Sequence, residues 1–134
     1  MSPATYNKTR IFVYGTLKKG YSNNRLLKDA RYVGQARTFD RFPLRCNGSF
    51  PSMFLGGSDR GQVMGEVYEV NDQQLANVDA LEGNGNGFYE RMEIKLIDEF
   101  DREAKAWAYF RDQSAYDTQR RTLEPVFGLL NWGR

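Results

Sequence analysis

The sequence FVYGTLKKG, residues 12–20, joins a predicted strand to a polar turn. Residues 10–14 are β-branched or aromatic apart from the first, which is typical of a buried strand. The strand ends at Gly15, and residues 22–27 have the pattern of a capped helix start. Unpaired backbone N–H groups at such a strand end can bind anions. An ordinary turn is the alternative, and a phosphate loop is disfavoured because positions 21–22 are Tyr-Ser rather than Lys-Ser or Lys-Thr.

A helix is predicted between Asn71, a suitable N-cap, and Gly83, a suitable residue for the C′ position. Glu82 follows Val78 by four positions and therefore projects from the apolar side of this helix. Burial and the negative end of the helix dipole both raise the pKa of a carboxylate at this position, toward the range that suits a base and an acid near neutrality. In the alternative, Glu82 turns to solvent at a fraying end or pairs with Arg91.

Other polar and aromatic side chains have simpler interpretations. Asp79 is expected to be a surface charge of the same helix. Tyr89 and Tyr109 fit core or barrel positions as well as a site. The basic pairs at 18–19 and 120–121 are expected to be solvated.

The remaining pattern predicts a β-rich domain. Apolar and β-branched runs predict strands over 32–39, 42–46, 62–70, 88–99 and 103–111. Pro43 limits its strand to a sheet edge, because proline donates no ladder hydrogen bond. Residues 47–60 are expected to form an irregular Gly/Ser/Pro loop, and residues 98–102 to turn a hairpin.

Length and composition limit the class of protein. A chain of 134 residues has the size of one domain, and 9 Phe, 8 Tyr, 2 Trp and 13 Gly favour β structure with tight turns. No apolar run approaches the roughly 18 residues of a membrane span, and residues 1–9 have no hydrophobic signal core. One cysteine, Cys46, cannot form an internal disulfide and is expected to be a small apolar residue, so we predict a cytoplasmic protein.

Charge and the lack of histidine narrow the function. Nineteen basic and 17 acidic residues give a net charge of only +2, which disfavours nucleic acid and anionic membranes as partners. The chain has no histidine, so the usual Ser-His-Asp and Cys-His arrangements are excluded and the commonest metal ligand is missing. We expect no metal and no cofactor. Proton transfer in an enzyme of this composition must use Asp, Glu, Tyr or Lys.

Three segments resemble the γ-glutamylcyclotransferase-like (AIG2-like) family, and most closely its γ-glutamylamine cyclotransferases. The first is residues 12–20, followed by Asn24 and Leu27. The second is GQVMGEVYEV, residues 61–70, which resembles the central strand of the family. The third is residues 78–91, which resembles the segment with the catalytic glutamate. The first and third motifs together are specific to the family.

The resemblance implies an α+β fold, a small mixed β-barrel with two main helices packed outside and a cavity at one end. It covers about residues 10–112 of one domain, 1–134, and leaves 113–134 as a C-terminal extension. The run at 126–132 is expected to cover a barrel face, and self-association is the alternative.

The implied reaction is an intramolecular aminolysis. The α-amino group of a γ-glutamyl amine or peptide attacks its own γ-carbonyl, 5-oxoproline closes, and the amine leaves. By resemblance Glu82 is the general acid and base, Tyr14, Gly15, Thr16 and Leu17 bind substrate, and Tyr89 and Tyr109 are pocket candidates. Because the nucleophile belongs to the substrate, the protein needs only a base and N–H donors.

Several alternatives stay open. The glycine-rich run at 83–87 departs from the family pattern and leaves the leaving group undefined. A barrel of the same fold that binds a small molecule without turnover is the runner-up, and an aromatic barrel for single-stranded nucleic acid is disfavoured by the balanced charge. We expect a monomer or a weak homodimer.

Overall fold

The computed structural model describes residues 8–46, 51–83, 89–118, 121–122 and 129–130. Nine strands and one α-helix form in these residues, with two 3₁₀ helices at Ser22–Leu27 and Gln113–Thr118. The strands and the helix are β1 (Thr9–Val13), β2 (Arg31–Thr38), β3 (Phe42–Cys46), β4 (Pro51–Met53), β5 (Arg60–Val70), α1 (Asp72–Glu82), β6 (Tyr89–Asp98), β7 (Glu103–Arg111), β8 (Arg121–Thr122) and β9 (Leu129–Leu130).

Five strands close a mixed barrel in the order β1-β7-β6-β2-β5, with β5 pairing back to β1. The β1–β7 pair is parallel, and the other barrel pairs are antiparallel. One 3₁₀ helix (Ser22–Leu27) and α1 lie outside. The small mixed β-barrel with two outer helices that the sequence predicted is therefore confirmed. No helix in the described residues is long and apolar enough to cross a membrane.

Both faces of β1 are buried, which explains its continuous apolar sequence. Phe12 points into the barrel core, whereas Ile11 and Val13 belong to a second cluster that includes Leu27 and Val78. Successive side chains of a strand point to opposite faces, so one short strand serves the two cores. Both faces of the strand are therefore packed up to Val13, immediately before the loop that follows it.

The predicted helix forms with both of its predicted ends. The Gln74 N–H donates to Asn71 Oδ1 at 2.8 Å, and the Asn71 N–H donates to Gln74 Oε1 at 2.9 Å, which completes a capping box. Gly83 ends the helix in the left-handed conformation with φ 68°. Glu82 is consequently the last residue of α1.

Two expectations for residues 42–60 are wrong. The irregular loop contains β4, and β3 pairs with both β4 and β5 instead of forming an edge. Pro43 is tolerated because it lies at the end of its register with β5, and its carbonyl accepts the Phe54 N–H at 3.1 Å. Residues 47–50 lie outside the described residues.

The C-terminal extension contributes strands to the barrel region. β8 pairs with β3, and β9 pairs in parallel with β5. Leu130 is buried in the barrel core, which agrees with the expectation that the run at 126–132 covers a barrel face. The other residues of that run lie outside the described part of the chain.

Candidate active site

A cavity of about 270 Å³ opens between the end of β1 and the end of α1. All seven site residues predicted from the sequence line this one cavity. They are Tyr14, Gly15, Thr16, Leu17, Glu82, Tyr89 and Tyr109. Sequence reasoning missed Asn23, Pro51 and Leu81, which also line it. Of these, Pro51 had no usable signal, because only the folding of the chain brings it to the cavity.

The β1 loop (residues 14–17) directs its carbonyl groups toward the protein. The Gly15 carbonyl accepts the Lys18 N–H at 2.9 Å, and the Thr16 carbonyl accepts the Asn23 N–H at 3.0 Å. The backbone N–H groups of Gly15, Thr16 and Leu17 meet no acceptor among the described residues. Three consecutive N–H donors beside a cavity suit a carboxylate or a developing oxyanion.

Two side chains that do not line the cavity, Asn24 and Glu66, form hydrogen bonds to the backbone of the β1 loop and of the residue Lys19 just after it. Asn24 Nδ2 donates to the Leu17 carbonyl at 2.7 Å and to the Tyr68 hydroxyl at 3.2 Å. Glu66 Oε1 accepts the Lys19 N–H at 2.9 Å and the Tyr68 hydroxyl at 3.2 Å. The β1 loop is therefore held by β5 as well as by its own turn.

The expectation that Lys18 is solvated is wrong. The 18–19 pair was expected to be solvated, but Lys18 is buried and its Nζ lies 5.7 Å from the ring centroid of Tyr21. Lys19 is exposed, as expected, and its Nζ lies 3.5 Å from the ring centroid of Tyr32. Packing of the turn against its neighbours, which charge alone does not indicate, buries the first lysine.

Gly15 lies against Pro51 of β4. A Cβ atom at position 15 would lie 2.8 Å from Pro51 Cγ and 3.0 Å from Pro51 Cδ. The proline ring is rigid, so a side chain at position 15 has to displace the β1 loop. This close approach requires glycine at position 15. The contact between Gly15 and Pro51 therefore helps to set the position of the β1 loop relative to β4.

Glu82 faces the β1 loop from the end of α1. Its side chain is largely buried, and burial raises the pKa of the carboxyl from 4.5 to about 7. The alternative pairing with Arg91 does not occur, because Arg91 Nη1 lies 3.4 Å from Asp79 Oδ2 instead. In the described part of the chain the Glu82 carboxylate has no ion-pair partner.

Asp79 is not the surface charge that the sequence suggested. Its Oδ1 accepts the Tyr109 hydroxyl at 2.6 Å, and its Oδ2 pairs with Arg91. Burial, and then the hydrogen bond to Asp79, raise the pKa of Tyr109, so this hydroxyl stays a proton donor. The carboxylate therefore ties the helix to β7.

Tyr89 closes the cavity from β6. Its hydroxyl lies 2.9 Å from Ser52 Oγ, and the Arg111 guanidinium lies 5.6 Å from its ring centroid. Burial raises the pKa of Tyr89. Tyr89 and Tyr109 both pack in the core and line the cavity. The core position and the site position that the sequence allowed for them are therefore compatible.

The described residues contain no cluster of three or more Asp, Glu or Cys side chains arranged to hold a metal ion. Of the described residues that line the cavity, Glu82 is the one with a charged side chain, and the other polar side chains in this set are neutral. The arrangement can bind an anionic group on backbone N–H donors and place a proton acceptor opposite it.

Comparison with known proteins identifies the class. A family model described as gamma-glutamyl cyclotransferase, AIG2-like, matches residues 11–131. The crystal structure of an AIG2-like protein from Mus musculus superposes with a TM-score of 0.75 and 26% identity, covering 95% of this chain and 97% of that chain. The chain belongs to the AIG2-like γ-glutamyl cyclotransferase family, and its membership supports γ-glutamyl cyclotransferase activity.

Two relatives show how far the similarity extends. The gamma-glutamylcyclotransferase family protein YtfP of Escherichia coli K12 is 36% identical over 100 residues, 75% of this chain and 80% of that protein. The gamma-glutamylaminecyclotransferase of Bos taurus is 41% identical over 80 residues, which are 54% of this chain and 47% of that protein. The match to the bovine relative thus spans about half the length of each protein.

Proposed function

We propose that this protein is a γ-glutamyl cyclotransferase that releases 5-oxoproline from a γ-glutamyl amine or peptide. The observation that carries the proposal is the position of Glu82, whose carboxyl has a pKa of about 7 and faces the N–H donors of the β1 loop across one cavity. Residues 1–134 would act as one domain on a small molecule, and the lone cysteine supports a location in the reducing cytoplasm.

In the proposed reaction the substrate α-carboxylate binds the N–H groups of Gly15, Thr16 and Leu17. The α-amino nitrogen attacks the γ-carbonyl carbon, a new C–N bond closes the five-membered lactam, and the original amide C–N bond breaks. Two protons pass from the attacking nitrogen to the departing nitrogen, and Glu82 accepts and returns them. No water is consumed, and both reacting groups belong to one molecule, so positioning lowers much of the barrier.

The charge of the cavity favours an amine as the leaving group. Among the described residues, no Lys or Arg side chain lines the cavity, and the sequence of residues 84–88, NGNGF, contains no charged residue. An α-amino acid leaving group places a second carboxylate next to the scissile amide, where no Lys or Arg side chain of the described lining meets it. A γ-glutamyl amine has no such carboxylate, which supports the amine branch.

A substrate panel tests the proposal. Initial rates of 5-oxoproline release are measured with γ-glutamyl-ε-lysine, γ-glutamyl-alanine and glutathione, with Glu82→Gln as the inactive control. We expect turnover of γ-glutamyl-ε-lysine to exceed that of the other two. Faster turnover of γ-glutamyl-alanine contradicts the choice of leaving group. Binding of these compounds without any 5-oxoproline contradicts the enzyme and supports the binding-only barrel.

A further inference from the structure

Behind the cavity, two side chains join the last turn of α1 to the barrel. The Tyr109 hydroxyl on β7 donates to Asp79 Oδ1 at 2.6 Å. Asp79 precedes Glu82 by three positions, so both project from the same side of the helix. The contact therefore ties the turn that carries Glu82 to β7.

Tyr109 also connects to the opposite wall of the cavity. Its backbone carbonyl accepts the Tyr14 hydroxyl at 2.7 Å, at the start of the β1 loop. A single residue of β7 thus holds the helix through its side chain and the loop through its backbone. The two connections are chemically separable, because replacing the side chain of Tyr109 leaves its carbonyl in place.

The last turn of α1 has few apolar contacts to hold it. Val78 is the helix residue that is fully buried, and Leu81, next to Glu82, is 42% exposed. The helix then ends at Gly83 in a left-handed conformation. With so little buried apolar surface on this turn, the short polar contact between Asp79 and Tyr109 restrains its position.

We propose that Asp79 and Tyr109 are positioning residues of this site: their hydrogen bond holds Glu82 at the correct distance from the substrate that the β1 loop binds. The inference rests on the proposed function. An error of about 1 Å in the position of a reacting group can cost on the order of 10²-fold in rate. Loss of this bond is therefore expected to lower kcat and to leave KM largely unchanged.

Four variants test the proposal: Asp79→Ala, Asp79→Asn, Tyr109→Phe and, as control, Arg91→Gln. We expect Asp79→Ala and Tyr109→Phe each to lower kcat by roughly 10- to 100-fold with KM changed less than about threefold. Asp79→Asn keeps an oxygen that accepts the Tyr109 hydroxyl and is expected to restore most of the rate lost in the alanine variant. Arg91→Gln removes the ion pair but spares the Tyr109 contact, and kcat should stay within about threefold.

Double variants and denaturation curves separate the outcomes. If one bond carries the effect, Asp79→Ala combined with Tyr109→Phe loses no more rate than the worse single variant. A lowered Tm with an unchanged kcat of the folded enzyme overturns the proposal, because the contact is then merely structural. An Asp79→Asn variant as slow as Asp79→Ala also overturns it, because Asp79 then transfers protons itself. Absence of wild-type turnover contradicts the proposed function instead.

Discussion

The Tyr14 hydroxyl donates a hydrogen bond of 2.7 Å to the backbone carbonyl of Tyr109 and accepts one of 3.1 Å from the Met53 N–H. The first residue of the β1 loop is thereby fixed to β7 and to β4. Burial raises the pKa of Tyr14 well above its usual value, so the hydroxyl remains neutral. The hydroxyl proton and one acceptor position of Tyr14 are thus used inside the protein, and we propose that the backbone that follows it binds the substrate.

Tyr14→Phe tests this role of the hydroxyl. The change leaves the Met53 N–H and the Tyr109 carbonyl buried without their partner, so unfolding free energy should fall by about 1–3 kcal/mol. KM should rise because the β1 loop is released, while kcat at saturating substrate falls less. Chemical denaturation and steady-state kinetics measure the two effects. A variant of wild-type stability with a large loss of kcat would instead make the hydroxyl a catalytic group.

Gly15→Ala tests the packing between the β1 loop and β4. The new Cβ would lie 2.8 Å from Pro51 Cγ, so the loop must move and KM should rise by roughly tenfold. Pro51→Ala removes the clashing ring atoms, and the double variant should recover a KM close to that of Pro51→Ala alone. The prediction fails if Gly15→Ala binds substrate normally, or if removal of the ring gives no recovery.

The pH dependence of kcat/KM tests the state of Glu82. The carboxyl must be ionised to accept a proton, and burial raises its pKa from 4.5 to about 7. Below that pH, kcat/KM should therefore fall by about tenfold for each unit of pH. Rates measured from about pH 5 to pH 8 locate this limb. An acidic limb near the ordinary pKa of a glutamate would show that the ionised carboxylate is well solvated.

The contribution of Glu82 to the free energy of unfolding should fall as pH rises, whereas kcat/KM should rise. A carboxyl whose pKa is raised on folding stabilises the native state fully below its unfolded pKa, and this contribution is lost as pH rises from 4.5 to about 7. At pH 8 the charged Glu82 should cost on the order of 1–3 kcal/mol. Glu82→Gln should therefore raise Tm at pH 8 and much less at pH 5. Glu90→Gln, an exposed change of the same charge, is the matched control; an equal gain there assigns the effect to net charge.

Local patterns sufficed to predict the elements that carry the site. Strand β1 has a continuous apolar run, and α1 has Asn71 and Gly83 at its ends, so both the loop and Glu82 could be located from the sequence. The contact of Asp79 with Tyr109, across 30 positions, could not, because closure of the barrel creates it. Pro51 likewise reaches the cavity through pairing of β3 with β4, in a segment whose Gly, Ser and Pro content indicated a loop.

We propose that Glu82 transfers the protons from one side of the cavity, while the β1 loop on the other side binds the substrate α-carboxylate. Single-turnover and steady-state assays of Glu82→Gln, with Glu90→Gln as control, test it most directly. The glutamine keeps the size of the side chain but cannot act as a base, so 5-oxoproline release should fall by roughly 10² to 10⁴. Calorimetry should show that the γ-glutamyl substrate still binds with nearly unchanged affinity. A folded Glu82→Gln enzyme with near-normal turnover would contradict the account.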